Sequence, residues 1–101
     1  MVKARVKIVI DNVAKKQLKE AYKYIRKDSP QNAEKVKAKI LESFNKLGEK
    51  PAVHTPDKYR LNNDGSFRAY EIYKYRISYQ VTETQINIIR VRHTKMNPKE
   101  Y

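Results

Sequence analysis

The chain opens on an alternation. Ala4, Val6, Ile8 and Ile10 fall on one side of an extended segment, and Lys3, Arg5, Lys7 and Val9 on the other. A period of two predicts a half-buried strand over residues 3–10, and Asp11 and Asn12 then supply strand-ending and helix N-cap chemistry. The period changes next. Ala14, Leu18, Ala21, Tyr22 and Ile25 form one apolar stripe at helical spacing, with Lys15, Lys16, Lys19, Lys23 and Lys27 largely outside it. Asp28, Ser29 and Pro30 break that helix and begin another, with Ser29 as N-cap and Pro30 at the first position. In the second helix Ala33, Val36, Ile40, Leu41, Phe44 and Leu47 repeat the stripe, and Gly48 is placed to cap it. Two amphipathic helices on so short a link make an antiparallel hairpin that can lay one face on a sheet.

Residues 49–66 read as a connector containing Pro51, Pro56 and the turn sequence NNDGS, with residues 58–61 a candidate short edge strand. Strands resume at residues 67–73, 75–81 and 85–93, joined by tight turns near Lys74 and at Thr82-Glu83-Thr84. In YRISYQV, Tyr75, Ile77, Tyr79 and Val81 share one face while Arg76, Ser78 and Gln80 share the other. The last strand, QINIIRVRH, has apolar residues on both faces, the pattern of a strand covered on both sides. Pro98 ends regular structure. The fold class is therefore α+β in a single domain spanning residues 1–101. It comprises an N-terminal strand, an antiparallel two-helix hairpin, and a three- to four-stranded, mostly antiparallel sheet. The sheet face away from the helices is the candidate functional surface.

Composition narrows the chemistry. The absence of cysteine excludes disulfides, thiol catalysis and cysteine-zinc sites. With His54 and His93 the only histidines, no protein-held metal is expected. Only Gly48 and Gly65 are glycines, so no glycine-rich phosphate loop exists, and neither HExxH nor a serine-histidine-aspartate layout occurs. No cofactor is implied. The N-terminal residues lack an apolar run of signal-peptide or membrane-span length, which makes the cytoplasm the expected location and no membrane contact the expectation. Charge adds most: 23 Lys and Arg against 11 Asp and Glu give a net charge of +12. Self-repulsion of that size opposes compaction, and a polyanionic partner, nucleic acid or acidic protein, is the usual reason to tolerate it.

The candidate chemistry is therefore cationic. Arg76 lies opposite Tyr75, Ile77 and Tyr79 in its strand, so it is expected on the sheet face away from the helices, where Arg68, Arg90 and Arg92 can join it. Clustered guanidiniums suit phosphate, because each planar fork offers bidentate donors. On a scissile phosphate they would stabilise the charge that builds as a 2′-hydroxyl attacks. His93, closing the last strand, is the one near-neutral acid or base in the strand region. By strict alternation it shares a face with Ile89 and Val91 rather than with Arg90 and Arg92. Tyr70, Tyr79 and Tyr101 could stack on bases; Tyr79 lies on the apolar face and is expected in the core, and Tyr70, at Arg68's parity, is the better candidate. Lys58, Arg60 and Lys95 could contact backbone phosphates.

The C-terminal half, FRAYEIYKYRISYQVTETQINIIRVRHTKMNPKEY, resembles the RelE/ParE superfamily of type II toxin–antitoxin toxins, of the plasmid-stabilisation type. YRISYQV followed after a tight turn by INIIRVRHT carries the likeness, and the first strand and helical hairpin fit the same order. The resemblance implies a growth-inhibiting toxin held by a cognate antitoxin. Some members of the superfamily are ribosome-dependent, metal-independent mRNA endoribonucleases, and this is the activity expected first. In that branch the arginine of the YR strand stabilises phosphate, which carries onto Arg76. A basic residue of the preceding strand carries onto Arg68, one from the connector onto Arg60, and a strand-end acid or base onto His93. Other members inhibit DNA gyrase by binding, without nuclease chemistry, and they too have a histidine after the last strand. The chain departs from the nuclease pattern at Tyr70, where some members have a second lysine.

Overall fold

The computed structural model describes residues 6–51 and 53–96; the alternation at residues 3–5, Pro98 and Tyr101 lie outside them. Strand β1, Lys7–Ile10, runs directly into helix α1, Asn12–Asp28. Asp11 is the N-cap by backbone position, although its side chain makes no capping bond. Ser29 then serves both helices. Its N–H reaches Ile25 O as α1 ends, and its Oγ accepts Asn32 N–H at 3.1 Å to start α2, Pro30–Leu47. One residue thus satisfies orphan backbone groups on both sides of a tight interhelical link. Gly48 ends α2 in the right-handed region, with φ of −63°, so its cap relies on no left-handed glycine.

Strands β2, Phe67–Ile72, β3, Tyr75–Val81, and β4, Gln85–His93, form an antiparallel meander, and β1 joins its β4 edge in parallel, giving the order β1-β4-β3-β2. The β2–β3 turn consists of Tyr73 and Lys74, both at positive φ (48° and 67°), the backbone shape that matches the twist of a two-residue hairpin. Neither is a residue that favours this region, so the turn is held by the strands beside it. Both helices lie on one face. Ala14, Ala21, Val36, Ile40, Phe44 and Leu47 meet Tyr75, Ile77, Tyr79, Ile86, Ile88 and Val91 in a single core.

Two expectations change. The apolar residues of β4 do not reflect coverage on both sides. The β3–β4 register slips between Ser78 and Tyr79, so that Ser78 faces Arg90 while Tyr79 faces Ile88. That extra residue lets Ile88 and Val91 both face the core and leaves Ile89 only half-buried. The bulge also falls where β1 ends opposite Ile88, and Gln17 of α1 accepts the Val91 N–H at 2.7 Å. The second change concerns the connector. Residues 58–61 form turns, and the contact with the sheet edge comes earlier, through a bridge from Pro56 to Arg68. Asp57 N–H bonds Phe67 O at 2.8 Å and Ala69 N–H bonds Thr55 O at 3.2 Å, which closes the free side of β2.

Candidate functional site

The alternation of β3 and the lower half of β4 places Arg76 beside Arg92, and Ser78 beside Arg90, on the face away from the helices. Arg76, Arg90 and Arg92 line one cleft of about 70 Å³ with Tyr59, Glu71, His93, Thr94 and Met96. These three of the four strand arginines come together as the sequence implies. His93 pairs with Tyr75 across the sheet, and their rings meet edge-on at 5.1 Å. Its Nδ1 accepts the Lys95 N–H at 3.0 Å, which fixes the ring at the strand end. There His93 borders the arginine cleft and also a second, larger groove of about 500 Å³ between α1 and the end of β4. Lys95 belongs to that second groove, with Tyr24 and Met96.

Arg68 does not join the cluster. Its partner across the ladder is Tyr79, a core residue, so its side chain leaves β2 on the helix side of the sheet. There Nη1 donates to His54 O at 2.5 Å, tying down the connector. Tyr70 has the same parity and is likewise internal. Its ring stacks on His54 with centroids 4.2 Å apart, and its hydroxyl bonds Ser43 Oγ of α2 at 2.7 Å. Burial pushes its phenol up to about 12, and does the same to Tyr79, whose hydroxyl donates to Pro51 O at 2.8 Å. One face of the Tyr70 ring is thus taken by His54, and its hydroxyl is held inside by Ser43. Burial also lowers the basicity of His54 from its ordinary value of 6.5.

The residue missed in the sequence is Asp57. Its side chain is fully buried, and its Oδ1 sits 3.0 Å from Arg76 Nη2 while accepting the Tyr59 N–H at 3.0 Å. Arg76 is itself only 18% exposed, stacks over the Tyr59 ring at 4.8 Å, and has Glu71 3.9 Å away on its other side. Its Nε is buried without a hydrogen-bond partner. The connector thus crosses the β2 edge: His54 lies against the helix-side residue Tyr70, whereas Asp57, Tyr59 and Arg60 lie over the outer face, with Arg60 3.9 Å above the Phe67 ring. The local signal was the run Pro56-Asp57-Lys58-Tyr59, in which an aspartate accepts the N–H two residues on and becomes a turn former. Nothing in its spacing revealed which cation it would meet.

Electrostatically the centre of this face is a paired site. A carboxylate buried beside Arg76 repels an incoming phosphate and occupies one of the donors that would bind it. Among the described residues no group of histidines, cysteines or carboxylates could hold a metal ion, and no helix is long and apolar enough to cross a membrane.

Solved structures similar to this chain include toxin–antitoxin systems. The chromosomal ParDE toxin–antitoxin system of P. aeruginosa matches at 18% identity with a TM-score of 0.69, over 90% of this chain and 98% of that one. The RelBE2 toxin–antitoxin complex of Mycobacterium tuberculosis matches at 21% identity and a TM-score of 0.58, over 89% and 99%. The YoeB dimer of Staphylococcus aureus matches at 22% and 0.55, over 89% and 98%. At such identities the likeness speaks for the fold. No curated protein matches the sequence significantly. The family model for the ParE toxin of the type II toxin-antitoxin system parDE matches residues 8–98, nearly the whole chain, and the protein therefore belongs to the ParE toxin family within the RelE/ParE superfamily.

Proposed function

We propose that this toxin acts by binding its target, DNA gyrase, rather than by cutting mRNA on the ribosome, and that a cognate antitoxin holds it in check. The observation that carries this reading is the buried Asp57–Arg76 pair. Phosphate stabilisation in a nuclease needs guanidinium donors already aimed at the charge that develops in the transition state, and not engaged by a carboxylate. Here the central arginine already has a carboxylate at 3.0 Å, and Arg68, the residue assigned to hold the phosphate with it, emerges on the opposite face. His93 remains near the cleft, but a strand-end histidine fits both branches of the superfamily equally well. The match to the ParE family model agrees with the binding branch. The antitoxin partner is supported by the complexes among the structural relatives, ParDE and RelBE2, each described as a toxin with its antitoxin.

A supercoiling assay tests the proposal. Purified toxin added to gyrase and relaxed plasmid is expected to suppress supercoiling or to trap cleaved plasmid, and prior mixing with the antitoxin is expected to restore activity. Unimpaired supercoiling at a large molar excess of toxin would overturn it.

A further inference from the structure

Helix α1 carries six cations, Lys15, Lys16, Lys19, Lys23, Arg26 and Lys27, all exposed. At about 100° per residue they occupy one sector of roughly 120° on the side opposite Ala14, Leu18 and Ile25. The acids of α1 are Glu20, at the border of this sector, and Asp28, outside it. Among the described residues none of the six is held in an ion pair. Helix α2 differs. There Lys39 and Lys46 both reach Glu42, at 3.5 and 3.6 Å, and Lys37 rests over the Tyr22 ring at 5.1 Å.

The α1 stripe is unfavourable for the isolated chain. Lys15, Lys19, Lys23 and Lys27 repeat at four-residue spacing, where like charges repel. The first turn has no acid to complement the helix dipole, and Lys15 and Lys16 stand near its positive end. A partner with closely spaced negative charge removes that repulsion. From Lys15 to Lys27 the row extends about 18 Å, one cation every 6 Å or so. That regular spacing suits the repeated phosphates of a nucleic-acid strand. No aromatic residue lies within the sector, so it offers none of the stacking platforms that single-stranded RNA binders use.

We propose that the outer face of α1 is a docking surface for the phosphate backbone of duplex DNA, read without regard to sequence. The site lies on the helix side of the sheet, apart from the arginine cleft, and does not depend on which target the toxin inhibits.

Fluorescence anisotropy with a labelled 20-base-pair duplex, the full chain and salt from 50 to 200 mM tests it. Four contacted phosphates predict a log–log slope near −3.6, an affinity loss on the order of 10²-fold over that range. Replacing Lys16, Lys19, Lys23 and Lys27 with Gln is expected to flatten the slope by at least two and to weaken binding at least tenfold. The same four changed to Arg should bind as the parent does. Replacing Lys35, Lys39, Lys46 and Lys50 with Gln removes equal charge elsewhere and should move the slope by less than one. Circular dichroism melting confirms that each variant is folded. Equal losses in the two Gln variants would reduce the effect to net charge and overturn the proposal. Tighter binding to single-stranded RNA or to polyglutamate than to the duplex would also overturn it.

Discussion

Asp57→Asn removes one charge from the outer face and leaves the side-chain shape in place. The Asn carbonyl can still accept the Tyr59 N–H, so the change removes the charge that faces Arg76 while keeping that turn. Removing one partner of a fully buried pair costs about 3–5 kcal/mol. Here Arg76 keeps partial access to water, the Tyr59 ring at 4.8 Å and the exposed Glu71 at 3.9 Å, which lowers the figure to about 2–3 kcal/mol. For a domain of this size that corresponds to a fall in Tm of roughly 10–20 °C. Arg76→Met removes the guanidinium 3.0 Å from the buried carboxylate and should cost a similar amount. Together the two substitutions remove both charges, so the double variant should be more stable than the sum of the singles allows, by about 2 kcal/mol. Thermal and urea denaturation followed by circular dichroism give all four corners of the cycle. A fall under about 3 °C for Asp57→Asn, or additive singles, would refute the view that Asp57 holds Arg76 in a stabilising pair.

Three further outcomes follow from the packing around the sheet. His54 is less basic when folded, because burial disfavours its charged form, so the unfolded chain takes up the proton first. Stability should therefore decline as pH falls from about 6.5 toward the lower folded value, and His54→Gln should show a smaller loss between pH 7.5 and 5.5 in paired Tm measurements. Replacing Tyr73 and Lys74 with Asn and Gly supplies residues suited to positive φ and should raise Tm by several degrees, consistent with about 1 kcal/mol of relieved strain. Gln17→Ala leaves the Val91 N–H without its acceptor and should cost about 1–2 kcal/mol in urea unfolding, whereas an exposed control such as Lys16→Ala should cost almost nothing.

The periodic parts of this fold were legible because burial imposes them. The stripe from Ala14 to Ile25, the Ser29-Pro30 start of α2 and the Tyr75–Val81 alternation each reflect a single local rule, and each appears where the pattern places it. What alternation could not show was β4, since one extra residue at the bulge reverses parity and makes a half-covered strand look covered on both sides. Arg68 illustrates a related limit. Parity within β2 is clear, but its relation to β3 depends on the two-residue turn at Tyr73-Lys74, which sets Arg68 against Tyr79 and Glu71 against Arg76. Asp57 was hidden for a different reason. It meets Arg76 across nineteen positions of sequence, through a connector whose path is fixed by edge hydrogen bonds rather than by its own pattern.

Toxicity through binding requires that the arginine face leave RNA intact. The most direct measurement maps the 5′ ends of mRNA in a translation reaction after purified toxin is added, with the parent chain and Arg76→Ala side by side. The pairing of Arg76 with Asp57 predicts no new ends from either protein. New ends within ribosome-bound codons that vanish with Arg76→Ala would contradict it and make the paired arginine a working catalytic group.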